Sequence, residues 1–383
     1  MSCACHVVRR LPGAKLVAML FVLAIQSQVS ADELEIDARP PIAPDIRDDQ
    51  LDVKFQRGDF VAVPIPTSNP TLGTGLVVGA AYFYPQTAQQ KAIQPASLTA
   101  VGGMYTDNDS KALAVIQQNY WSHNKWRFTG RFGAADLRLS LPSPDETIAL
   151  SAIDWRIKGY FAQARLSRQV WPNWYAGFLG RVIDARQTLE GDIELDRRGL
   201  LALPDVVSTG LGAYVEYDTR DMPTNAYSGH YFKAEALFND EVIGSSRTYQ
   251  NYQLTFNSYH RVADRLVLAW QVQGCSRGGK LPIWDACTLK LRGFSATDYM
   301  GTSSISGQIE ARWQLGGRWG LVGFGGGGYS RFAYGRIDNT TWVPSYGAGI
   351  RFMVLKAKRI NMRLDYARSR DSDAIHLSVG EAF

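Results

Sequence analysis

The sequence predicts an all-β protein: a transmembrane antiparallel β-barrel of about sixteen strands, of the outer-membrane type. Three observations carry this. From Phe60 onward apolar and polar residues alternate with a period of two, as they do along strands with two different faces. Many of the alternating runs approach the roughly 9 to 11 residues that a tilted strand needs to cross a bilayer. Aromatic residues such as Tyr82, Tyr84, Trp121, Trp126, Trp171, Trp174 and Tyr259 gather near the predicted strand ends, where interfacial girdles form. A soluble sandwich also alternates, but its polar face looks outward and its strands average about 5 to 6 residues. In lipid the sheet must close on itself, because an open edge leaves backbone groups without partners.

The first 31 residues read as a secretory signal. Arg9, Arg10 and Lys15 precede an apolar run from Leu16 to Ile25, and Val29, Ser30 and Ala31 supply small residues for cleavage. The apolar run is shorter than the roughly 20 residues of a spanning helix, and no later segment offers one. Residues 32–57 are acidic, hold Pro40, Pro41 and Pro44, and show no sustained period. They read as a periplasmic linker or tail, and 58–383 as the barrel. The signal takes three of the 41 basic residues and no acid, which leaves 38 against 36 acidic residues, a net of +2. So balanced a chain gives no argument for a nucleic-acid partner.

Predicted strands begin near Phe60, Gly73, Pro95, Lys111, Lys125, Ile153, Trp174, Val206, Gly229, Arg247, Asp264, Ser303, Trp319, Val343, Arg359 and Ala374. With the amino end in the periplasm, alternate connections are short turns. The others are longer loops, including 188–204, 277–302 and 331–342. Over 304–315, Ile305, Ile309, Ala311, Trp313 and Leu315 share one face, opposite Ser306, Gln308, Glu310, Arg312 and Gln314. Over 359–367, Ile360, Met362, Leu364 and Tyr366 oppose Asn361, Arg363 and Asp365. The last strand sets Ile375, Leu377, Val379 and Phe383 toward lipid, with Glu381 interrupting and Phe383 as the C-terminal barrel signal. The first strand holds Pro64 and Pro66, which cannot donate ladder hydrogen bonds, so its seam with the last strand is expected to be weak.

Little in the chain points to catalysis. The histidines show no metal-ligand spacing, the Gly-rich run 323–330 lacks the Lys-Ser/Thr of a phosphate loop, and no nucleophile elbow is present. Neither enzyme activity, nor a metal, nor a cofactor is predicted. Asp218, Arg220 and Asp221 read as a charged periplasmic turn. Cys275 and Cys287 are the only thiols left after export, and in an oxidising compartment they are expected to pair. Such a bridge is worth about 2 to 3 kcal/mol in the chain-entropy account.

Three stretches carry a family resemblance: LRGF at 291–294, YVEYDTRDMPTNAYSG at 214–229 and the ending HLSVGEAF. With them the region 206–383 resembles the BamA/TamA superfamily, the bacterial surface antigen group. Over 60–205 the resemblance rests on strand pattern and VPIPTSNPTLGTG. It implies a Gram-negative outer-membrane barrel that inserts or secretes proteins, with polypeptide clients, separate periplasmic partners and membrane lipids as neighbours. It also implies that a long extracellular loop folds into the barrel, where its motif arginine meets acids of the inner wall. That arginine is Arg292, followed by Gly293 and Phe294, and Glu310 is its expected partner. The family often places an Asp two residues after a Phe on the next strand. Here Gly326 follows Phe324 at that spacing, so the pairing is expected to rest on Glu310 alone. The chain reads as a barrel-only member without the periplasmic POTRA domains. A passive pore or a structural surface antigen is the alternative function.

Overall fold

The alternating runs form sixteen strands, each hydrogen-bonded to its neighbours in sequence, and the last closes on the first. The structure, a computed structural model, describes residues 58–142, 152–190, 205–334, 337–356, 359–370 and 372–383. The expected signal and linker therefore lie outside the described residues. The strands are β1 (Asp59–Asn69), β2 (Gly73–Phe83), β3 (Leu98–Thr106), β4 (Lys111–Trp121), β5 (Trp126–Pro142), β6 (Ala152–Trp171), β7 (Trp174–Glu190) and β8 (Val206–Asp218). They continue as β9 (Gly229–Asn239), β10 (Tyr249–Ala263), β11 (Leu266–Gly279), β12 (Ser303–Gly316), β13 (Trp319–Tyr334), β14 (Ile337–Leu355), β15 (Ile360–Ser369) and β16 (Asp373–Val379). An even number of antiparallel strands leaves the start of β1 and the end of β16 at one rim, the near rim. The opposite end is the far rim.

Alternation sorts the side chains as the period demands. Leu76, Leu113, Phe178, Leu211, Ile305 and Trp313 stand exposed on the outer face, an apolar band that only lipid can cover. Tyr82, Tyr84, Trp121, Trp126, Trp171 and Trp174 are exposed at the near rim, as a girdle requires. Tyr259 corrects that expectation: its odd-numbered position on β10 turns it into the lumen, where it is only 2% exposed.

Two connections also differ from the sequence reading. The expected loop 331–342 is mostly strand, since β13 and β14 pair out to Tyr334 and Ile337. Polar Thr340 and Thr341 hid this extension, because a strand that rises past the lipid needs no apolar face. At the near rim, the β2–β3 connection is long and holds helix α1 (Ala88–Ile93). Thr87 caps it: its hydroxyl accepts from Gln90 N while the Gln90 side chain accepts from Thr87 N. A helix of this length shows no period to read.

The lumen is packed rather than empty. The β11–β12 connection folds inward, and its Trp284 joins Leu137, Leu139, Trp155, Ile157 and Ile183 in an apolar cluster. Further along the same connection, Leu289, Leu291 and Phe294 pack on Val343 of β14.

Candidate functional site

The inward loop begins with a covalent staple. Cys275, on β11, is joined by a disulfide to Cys287, with Cα atoms 5.7 Å apart. Cys287 also bridges Gly301 by two main-chain hydrogen bonds of 2.8 Å, so the loop is pinched at its base.

Beyond the pinch, Arg292 reaches the middle of the barrel wall. Its guanidinium lies 2.5 Å from Glu310 on β12 and 2.8 Å from Asp365 on β15, and both acids are 0% exposed. The contact with Asp365 is an aligned hydrogen bond, whereas the one with Glu310 is a close ionic contact. The guanidinium also stacks 3.4 Å above the Phe324 ring, and Gln308 accepts a bond from it at 3.3 Å. Asp365 corrects the expectation that Glu310 would be the sole acid. Gly326 leaves no room for a side chain, because a Cβ there would run into Gln308 at 2.8 Å. The second carboxylate comes from β15 instead.

The main chain of the loop tip is held equally closely. Gly293 has a φ of +108°, and a Cβ would meet the Arg368 and Ser369 backbone at 3.2 to 3.4 Å, so glycine is required there. Gly293 N donates to the His376 ring on β16 at 3.3 Å, and Gly293 O accepts from Ser372 at 2.8 Å. Phe294 packs edge-on against Tyr299 with ring centroids 5.0 Å apart.

The lock extends to the end of the chain. Glu310 also holds Arg312 at 2.9 Å, Asp365 holds Arg351 at 2.5 Å, and Arg351 holds Glu381 at 2.8 Å. Arg312 donates to the main-chain oxygen of Phe383 at 2.7 Å. Phe383 itself lies 6.4 Å from the Tyr259 ring, inside the near mouth. This corrects the lipid-facing placement of Phe383. β16 ends at Val379, Gly380 takes a φ of +103°, and the last residues turn inward because Glu381 finds its cation there.

A second anchor of the loop escaped the sequence reading. Asp285 pairs with Arg181 of β7, accepts from Tyr249 at 2.9 Å and Asn251 at 2.8 Å, and has Arg277 within 3.9 Å. Burial raises its pKa, but the Arg181 and Arg277 guanidiniums outweigh this and hold the carboxyl below its ordinary range. An acid two residues before Cys287 and an inward arginine on β7 were the available signals, and nothing in their spacing joins them.

The acidic turn after β8 is more than a solvated loop. Arg220 bonds both oxygens of Asp218, at 3.1 and 2.9 Å, and lies over Tyr231 at 4.2 Å. Asp221 accepts from Tyr227 N and receives Arg359 from the β14–β15 turn at 2.6 Å. The turn is thereby tied across the near mouth.

The seam between β1 and β16 is the thinnest join in the wall. It has a single register pair, Ser68 with Leu377, whereas β1 and β2 pair continuously from Asp59–Phe83 to Asn69–Gly73. Pro64 and Pro66 lack donors, and β16 stops too soon to face the near half of β1.

Fold and site together define an outer-membrane-type β-barrel plugged by one of its own loops. Among solved structures, BamA from Haemophilus ducreyi lacking POTRA domains 1-3 is similar, with a TM-score of 0.56 and 12% identity over 84% of this chain and 70% of that one. CdiB from Escherichia coli gives a TM-score of 0.57 and 12% identity over 86% of this chain and 63% of that one. CdiB from Acinetobacter baumannii gives 0.54 and 11%, over 85% and 60%. The chain thus spans less than two thirds of either CdiB structure, and at these identities the likeness is one of fold. The barrel has the architecture of BamA and CdiB. No family model matches the sequence, and no curated protein matches it.

Proposed function

We propose that the protein stands in the outer membrane of a Gram-negative bacterium and handles polypeptide at the β1–β16 seam, inserting it into the membrane or passing it across. The single register pair of that seam carries the reading. Unpaired strand edges in lipid are costly, so the open edge of β1 is a template for an incoming strand. The packed loop weighs against a passive pore, since Trp284, Leu289 and Phe294 occupy the space that a solute would need. The barrel likeness to BamA and CdiB supports the same reading at the level of fold.

The test is to lock the seam. Cysteines belong at Ser68 and Leu377, the observed partners, because Val63 lies opposite no residue of β16. Cells lacking the protein are expected to show an envelope defect. The reduced double-cysteine barrel should rescue it and the oxidised one should not. Full rescue by the locked barrel would end the lateral-opening mechanism and leave the pore reading.

A further inference from the structure

We propose that the near rim holds an anionic-phospholipid site, in which basic side chains from three successive turns take the lipid phosphate while its chains lie along the outer face of β12 and β13. This depends on the barrel standing in a bilayer and not on polypeptide handling. The hairpins β10–β11, β12–β13 and β14–β15 are adjacent in the wall and turn at the near rim. Those turns expose Arg265, Arg318 and Lys356. Among the described residues these three make no ion pair. Arg318 donates only to the main-chain oxygens of Met353 and Val354, at 3.2 and 2.9 Å, and both bonds use Nη1.

The three cations and Arg359 line one cleft of about 360 Å³ together with Trp313, Trp319 and Leu321. Those last three are exposed on the lipid side, and Trp319 is braced by Phe352 with ring centroids 4.8 Å apart. The cleft thus joins the two chemistries of a phospholipid: cations at headgroup level and an aromatic and aliphatic surface for the chains. Exposed basic residues cluster at these three turns, with Asp264 beside Arg265, whereas Lys125 is the only lysine or arginine of the β4–β5 turn. The β6–β7 turn offers only Pro172 and Asn173, and the arginine of the β8–β9 turn is spent on Asp218. The carboxylate that lines the cleft, Glu381, is already held by Arg351, so a zwitterionic headgroup would bring its own ammonium against three cations without an ion pair, whereas an anionic one would not.

The test uses the full chain, delipidated in neutral detergent and titrated with phosphatidylglycerol or phosphatidylcholine of the same acyl chains, with bound lipid read by native mass spectrometry. Wild type should prefer phosphatidylglycerol, and added salt should weaken it. The Arg265→Gln/Arg318→Gln/Lys356→Gln variant should lose affinity on the order of a hundredfold, about fivefold per cation removed. Lys125→Gln, in the β4–β5 turn, should change nothing. Should the triple variant misfold, as its gel mobility would reveal, the single variants carry the test at about fivefold each. Equal retention of the two lipids, or undiminished binding by the variants, overturns the proposal. So does inorganic phosphate that binds as tightly as the lipid, because the site would then be one for free anions.

Discussion

At the scale of the residue, Arg292 is one member of a buried chain of alternating charge: Arg312, Glu310, Arg292, Asp365, Arg351 and Glu381. Along this chain three guanidiniums alternate with three carboxylates, with buried Arg363 as a further cation beside Asp365, so removal of Arg292 or Glu310 leaves buried charges without their partner. Arg292→Met and Glu310→Gln should each cost about 3 to 5 kcal/mol and expose the loop to protease in the intact barrel. Together they remove one charge of each sign, so the double variant should cost less than the sum. A double-mutant cycle on the unfolding free energy checks this, and additive losses would show that the two residues act independently. Arg292 and Glu310 were legible because the family resemblance carried by LRGF marked the arginine and its partner, and alternation placed Glu310 on the inner face. Asp365 was legible only as an inward residue. Its partner depends on how the closed wall curves around the lumen, and period two says nothing of that.

At the scale of the element, the inward loop behaves as a strap with two buckles. Arg292 fastens its tip, Asp285 fastens its first half, and the Cys275–Cys287 bridge pinches its base. Asp285→Asn would leave Arg181 and Arg277 buried without their paired carboxylate, since nearby Glu235 is held by Arg165, at a cost of about 3 kcal/mol. Hydrogen exchange should then quicken over 281–289 while 290–296, held by Arg292, stays protected. Loss of protection across the whole loop would mean that there is only one fastening. The pH dependence follows from the depressed pKa of Asp285. Its contribution is fully present above the unfolded value of about 3.9 and is lost as pH falls through the lower folded value, so neutral and mildly acidic buffers should leave the strap fastened. Strand existence was legible throughout, with β14 alone beginning well before its expected start. The inward turn after Val379 was not, because alternation carried past the end of β16 puts Phe383 outside. The wish of Glu381 for a cation decides otherwise, and that is visible only once Arg351 is seen below it.

At the scale of the whole molecule, fifteen of the joins between neighbouring strands are ladders of many register pairs, four of them with a register shift near one end, and one is a single pair. A closed ladder in lipid or detergent has no water to compete for its backbone bonds, so it resists detergent denaturation until heated. Unboiled protein should therefore run on gels as a compact species, and boiled protein at its full chain length. Identical migration, with the protein recovered in a soluble fraction, would end the barrel reading. The seam adds a sharper expectation. Unfolding must first open the wall somewhere, and the Ser68–Leu377 join costs least to break. The oxidised Ser68→Cys/Leu377→Cys barrel should thus convert to the slow form at a higher temperature than wild type. A cysteine pair at Val115 and Phe132, in the continuous β4–β5 ladder, should raise that temperature less. Equal shifts from both bridges would mean that the seam is no weaker than the rest of the wall. The thin β1–β16 ladder would then be no candidate for lateral opening.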